Sequence, residues 1–210
     1  MATMNFCPRC ASELTIKNDG GRDRQACPDG ACGFVHFGDF SIGCAGVVLR
    51  QESGMVKALL VQRGQNPFAG SWQLPGGYAE HDELLSVAVE REVEEEAGVV
   101  AKVNDVVAFR HSLAGTTGGP STNIYMIFRL NYLNGEPKFD GDEIADAGFF
   151  SLDEMAEMEA VQGLSRWGIE QALVTKPGSG LSAGSEELRN QRPGWQLFGL
   201  EDVDMKSLRR

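Results

Sequence analysis

Residues 77–99 read GYAEHDELLSVAVEREVEEEAGV, and the fold turns on how this stretch is read. At about 100° per residue, Leu84, Leu85, Ala88 and Val89 fall on one side of a helix wheel. The pattern predicts a helix from Asp82 to Ala97. Asp82 is placed to cap its start and Gly98 to end it. Glu83, Glu90 and Glu94 fall opposite the apolar stripe, where a solvated acidic face accounts for them. Glu92, Glu95 and Glu96 do not fit that account. Their i, i+3, i+4 spacing sets them on the side of the stripe, one to two turns further along. Three carboxylates crowded there repel one another and resist losing water, so a positive partner is expected among them. Oxygen-only ligands favour Mg²⁺ or Mn²⁺. Gly76 and Gly77 let the backbone turn tightly toward the helix start, so a main-chain carbonyl can join such a ligand set. Arg91, beside the cluster, is expected to pair with a carboxylate.

The chain around this helix has 210 residues, with 30 Asp and Glu against 19 Lys and Arg, a formal charge of -11. Residues 80–98 alone hold eight acids and one base, which is -7 of that total. Charge of this sign disfavours binding to a nucleic-acid backbone, which needs clustered Lys and Arg. No apolar run reaches the roughly 18 residues of a membrane span. The opening MATMNFCPRC lacks the charged-then-apolar layout of a secretory leader, so a cytoplasmic protein with no membrane partner is expected.

Before the helix, residues 41–50 and Val56–Arg63 read as strands joined at Gln51–Gly54. Leu74-Pro75-Gly76-Gly77 reads as a sharp turn. After it, Val99–Phe109, Asn123–Leu133 and Gly148–Ser151 read as strands, and Leu152–Glu159 and Leu164–Val174 as helices. Ser112–Thr122 reads as a flexible loop. Pro177–Ser185 has linker composition and opens a C-terminal tail, 177–210.

Residues 1–40 form a separate module. Cys7-Pro8-Arg9-Cys10 and Cys27-Pro28-Asp29-Gly30-Ala31-Cys32 place two pairs of thiols in turn-like sequence. Such pairs suit tetrahedral Zn²⁺, and four ligands fill the shell, which makes the ion structural. Forty residues bury too little to fold on apolar contacts alone, and metal binding supplies the difference. Cys44 lies in an apolar run and reads as a buried strand residue. The module holds four bases and five acids, where a nucleic-acid module would be basic.

The stretch Gly77-x5-Glu83-x7-Arg91-Glu92-Val93-x-Glu95-Glu96-x-Gly98-Val99 resembles a complete Nudix box, with nine fixed positions over 23 residues. The resemblance covers about residues 41–175, and the domain it implies is taken as 41–176. It implies an α/β fold, an α/β/α sandwich around a mixed sheet, here preceded by a small zinc ribbon. It also implies hydrolysis of a nucleoside diphosphate linked to another group. By position, Glu92, Glu95 and Glu96 resemble the family's metal ligands, with the Gly76 carbonyl as a further one. Gly77, Glu83, Arg91 and Gly98 resemble the structural positions of the box. Glu95, Glu96 and a loop acid, Glu143, are the candidates for proton transfer. A homodimer is also implied. A zinc ribbon ahead of the box is similar to the layout of NADH pyrophosphatases, but their SQPWPFP-type stretch is absent; enzymes acting on ADP-ribose or FAD share the layout without it. Among possible substrate contacts, Arg63 and Arg110 suit phosphate and Trp72 suits a base. Two alternatives remain open: a pyrophosphatase of oxidised nucleoside triphosphates, and a nucleotide-sensing regulator built on the ribbon.

Overall fold

The computed structural model describes residues 4–113, 122–183 and 197–200. The chain divides into two compact units, Met1–Ser41 with Ser112–Asn123, and Ile42–His111 with Ile124–Arg210.

The first unit contains a hairpin of β1 (Thr15–Asp19) and β2 (Arg22–Ala26), paired from Thr15↔Ala26 to Asp19↔Arg22. Its turn uses Gly20 and Gly21, both at positive φ, which costs a glycine little. Among its described residues the buried apolar side chains are Cys7 and Ala26, while Phe6, Ile16, Phe37 and Phe40 are exposed. Burial therefore contributes little to this unit.

The second unit is built on a mixed sheet. Its strands are β3 (Phe40–Glu52), β4 (Met55–Arg63), β5 (Trp72–Gln73), β6 (Val100–Leu113), β7 (Thr122–Asn134), β8 (Ile144–Phe150), β9 (Leu181–Ala183) and β10 (Phe198–Leu200). The helices are α1 (Leu85–Ala97), α2 (Leu152–Glu157) and α3 (Gly163–Val174). In the sheet β6, β7, β3 and β4 lie side by side, and β4 also pairs with β8, from Ala58↔Phe150 to Arg63↔Ile144. Side chains alternate along each strand, and both faces are apolar. Cys44, Val48, Leu59, Val61, Phe128 and Leu130 pack with Ala88, Val89 and Val93 of α1. Ala45, Val47, Ala58, Leu60 and Ile127 pack with Met155 of α2 and Ile169 and Ala172 of α3. Helices thus cover the sheet on both faces, as an α/β/α sandwich. Cys44 is fully buried, and its thiol is pushed up to about 12, chiefly by burial.

Three segments differ from their expected form. The helix starts at Leu85, with Leu84 as its N-cap and no side-chain cap, rather than at Asp82. Glu83 is already engaged: its Oε1 accepts the Glu80 amide, which keeps the entry segment a turn. At the other end Gly98 caps in the left-handed region at φ 65, and its amide donates to the Glu94 carbonyl. Strand β8 begins four residues before Gly148, because β4 offers a continuous partner edge as far as Arg63. Lastly, part of the segment read as a linker-like tail is sheet. β9 pairs with β6 at Asp105↔Ser182 and Val106↔Leu181, and β10 pairs with β9. Main-chain bonding along an open edge depends little on side-chain type, so composition alone hid it. Phe198 closes against Phe128 with ring centroids 5.6 Å apart. Residues 184–196 and 201–210 of that tail, and residues 114–121 of the expected loop, lie outside the described residues.

Candidate active site

The site begins at the turn after β5. Gly76 has φ +154, and a Cβ there would collide with the Cys44 carbonyl oxygen. The Cys44 amide donates to the Gly77 carbonyl at 2.9 Å, and the Gly46 amide to the Pro75 carbonyl at 2.9 Å. The carbonyl of Gly76, between these two, takes part in neither bond. The Gly76 amide donates to Glu96 Oε2 at 2.7 Å. Gly77 has no room for a side chain either, since a Cβ would lie 2.7 Å from Glu92 Oε1. Two glycines therefore let the turn close over two carboxylates of α1, one helical turn apart.

Electrostatics at this point is unfavourable without a counter-charge. Glu96 is 9% exposed. Burial pushes its carboxyl up to about 8; the Gly76 amide and Arg63 act the other way, while the charges of Glu92 and Glu143 add to the rise. Glu92 is raised too, first by burial, with Glu95 and Glu143 adding and Arg91 opposing.

Arg91 organises the opposite side. It donates to Glu83 through Nη2 at 2.8 Å and Nε at 3.3 Å, to Glu92 at 3.0 Å and to Glu95 at 2.8 Å. Hydrogen bonds from Arg91 hold the Glu83 carboxyl below its usual range. The face sorting read from the sequence is thus refined. Glu92 and Glu96 point inward and Glu94 outward, whereas the Glu95 side chain is 60% exposed and held by Arg91. Glu90, assigned to the solvated face, is half-buried; it accepts the Val103 amide and pairs with Lys102.

Glu143 is exposed on the loop before β8, and its charge acts on both Glu92 and Glu96. The Asp140 carboxylate shapes that loop by accepting the amides of Asp142 and Ile144. The Glu143 carbonyl accepts the Gly64 amide at 2.7 Å, tying the loop to the end of β4. Arg63, also there, donates from Nε to the Pro67 carbonyl. Trp72 is half-buried, edge-on to Phe150 at 5.0 Å. Arg110 lies over the ring of Tyr125, 5.2 Å from its centroid. Gly43 was not singled out from the sequence, yet it seats that ring; a glycine inside an apolar strand, Ile42-Gly43-Cys44, is the signal for such an approach.

In the first unit Cys7, Cys10, Cys27 and Cys32 bring their sulfurs within 4.8 Å of one another. Cys7 and Cys32 are 3.6 Å apart, and Cys10 and Cys27 3.5 Å. Four thiolates about 2.3 Å from one ion form a tetrahedron with edges of about 3.8 Å, so the shortest approaches match that donor set. His36 is paired with Asp39 instead. Among the described residues, this quartet alone gathers three or more such ligand atoms so closely; the carboxylates of α1 are drawn apart toward Arg91 and Gly76.

A family model described as "NUDIX domain" matches residues 42–168, more than half of the chain. A protein named ADP-ribose pyrophosphatase from Methanocaldococcus jannaschii is 34% identical over 121 residues, 53% of this chain and 67% of that protein. One named NAD-capped RNA hydrolase NudC from Vibrio vulnificus is 30% identical over 172 residues, 82% of this chain and 60% of that protein. This chain therefore spans about three fifths of the latter's length. Among solved structures, a NUDIX hydrolase from Nitrosomonas europaea superposes with a TM-score of 0.63 at 24% identity, over 83% of this chain and 95% of that one. That likeness shows the fold alone. A MutT protein from Methanosarcina mazei superposes with a TM-score of 0.52 at 28% identity, over 65% of this chain and 94% of that one.

Proposed function

Because this chain belongs to the NUDIX domain family, we propose that it hydrolyses the pyrophosphate link of a nucleoside diphosphate derivative of the ADP-ribose, FAD or NADH type. The observation that carries the reading is the pair of inward carboxylates, Glu92 and Glu96, closed under the Gly76–Gly77 turn and disfavoured as bare charges by burial. An oxygen-only donor set of Glu92, Glu95, Glu96 and the Gly76 carbonyl suits Mg²⁺ or Mn²⁺. A divalent cation bound there supplies neutralisation of the anionic substrate and a more acidic bound water.

The chain's own residues then divide the work. Glu96 is oriented by the Gly76 amide, and Glu92 by Arg91. Glu95, Glu96 or Glu143 accepts the proton of the attacking water. The water oxygen adds to phosphorus, the bridging P–O bond breaks, and two phosphorylated halves leave. Arg63, Arg110 and Trp72 hold the substrate, the arginines by matching phosphate oxygens with a guanidinium fork. Zn²⁺ on the four cysteines holds the first unit together.

The named ADP-ribose pyrophosphatase supports the small-molecule reading at 34% identity. A second reading, cleavage of a nucleotide cap from RNA, is favoured by one observation: the similarity to NAD-capped RNA hydrolases covers 82% of this chain, well beyond residues 42–168. The surplus of acids over bases in residues 1–40 weighs against a grip on an RNA backbone. A hydrolysis panel with Mg²⁺ and Mn²⁺ tests the proposal, using ADP-ribose, FAD, NADH, nucleoside triphosphates and NAD-capped RNA. Cleavage of triphosphates alone would overturn it.

A further inference from the structure

Tyr125 lies on β7, one layer of backbone away from the acidic cluster. Its ring rests on Gly43, where a Cβ would lie 2.5 Å from Cδ2 and 2.9 Å from Cε2. The same point is 3.2 Å from the Gly77 carbonyl, and Gly77 in turn abuts the Glu92 carboxylate. Two glycines therefore separate the phenol ring from the carboxylates, and a side chain at either would fill the gap. Burial raises the Tyr125 hydroxyl above its usual range, with Cys44, Glu96 and Glu92 adding to the rise and Arg110 opposing it.

Arg110 comes from β6, the neighbouring strand, and its guanidinium carbon stands 5.2 Å from the ring centroid. An arginine side chain is long and rotamer-rich, and fixing it costs entropy. An aromatic face narrows that freedom by cation–π attraction. A guanidinium stacked by its face keeps its donors in one plane, the arrangement that matches phosphate oxygens.

We propose that Tyr125 is a positioning residue. It holds the Arg110 guanidinium over its ring, so that Arg110 is set to grip a phosphate of the diphosphate substrate. This rests on the hydrolase reading above and adds to it the residue that sets affinity.

The test is steady-state kinetics with ADP-ribose and Mg²⁺, on variants whose melting temperatures stay close to wild type. Tyr125→Leu is expected to raise KM about fivefold to tenfold, with kcat within about twofold. Tyr125→Phe, which keeps the ring, is expected to recover most of that loss. In an Arg110→Ala background, Tyr125→Leu should add less than about twofold to KM, because the two residues act as one unit. Additive effects would overturn the proposal, as would equal loss in the phenylalanine and leucine variants, or a fall in kcat with KM unchanged. If Tyr125→Leu does not fold, Arg110→Lys decides: it keeps the charge and loses the planar stack, so KM should rise, and an unchanged KM overturns the proposal. Wild-type cleavage of ADP-ribose with KM unmoved in every variant defeats the proposal alone. Absence of cleavage across all diphosphate substrates defeats the hydrolase reading, and the proposal with it.

Discussion

The two units solve the same problem by different means. Around the cysteines, Cys7 and Ala26 are the buried apolar side chains among the described residues, and four sulfurs converge where a core would otherwise sit. Around the sheet, two apolar layers close on both faces and need no ion to hold them. Zn²⁺ as proposed at the cysteines would act there as a structural staple. In the sandwich the acids are a burden instead: three of them on α1 sit on or beside its buried face, and Glu96 is pushed up to about 8 by burial. Groups that cost stability in a region that can bear the cost are the ones to examine for function.

The largest expected effect is on the staple. Stripping Zn²⁺ with a chelator, or Cys27→Ser, removes stabilisation on the order of 10 kcal/mol from the first unit. Native mass spectrometry should show the loss of one zinc ion, and limited proteolysis should cut within residues 4–41 first. Equal resistance with and without zinc would break the contrast between the units. Next comes chemistry in the sandwich. Glu96→Gln is expected to lower kcat by about 10²- to 10⁴-fold while leaving the melting temperature unchanged or higher, since it removes a carboxyl whose charged form burial disfavours. A fall in kcat matched by unfolding would give Glu96 a structural role instead. A smaller effect concerns the cation itself. Mg²⁺ at about a hundredfold over its Kd should stabilise the wild type by about 2.7 kcal/mol in thermal melts, and should stabilise Glu96→Gln less. Smallest is Lys102→Ala, which breaks an exposed pair with Glu90 and should change stability by less than about 0.5 kcal/mol by denaturant titration.

The sequence was most legible where one residue type repeats at helical spacing. The sorting of α1 into an apolar stripe and an inward acidic set needs only the period of the helix, and Glu92, Glu96 and Gly98 stand where that period puts them. It was less legible where a partner far along the chain decides. Glu95 shares the inward spacing yet is held outward, because Arg91, one turn earlier, can bridge it together with Glu83 and Glu92. Residues 181–183 carry a linker's composition and still extend the sheet, because the edge of β6 supplies the hydrogen bonds. The seat of Tyr125 was legible only as a glycine inside an apolar strand, since Gly43, Gly77 and Tyr125 meet only once the sheet has formed.

Hydrolysis of a diphosphate link is the role proposed for the inward carboxylates of α1. The most direct measurement is the rate of Mg²⁺-dependent ADP-ribose cleavage by wild type and Glu96→Gln, followed by separation of the products. The expected result is two phosphorylated products from the wild type and a rate at least about a hundredfold lower from the variant. Equal rates from the two proteins would contradict the claim.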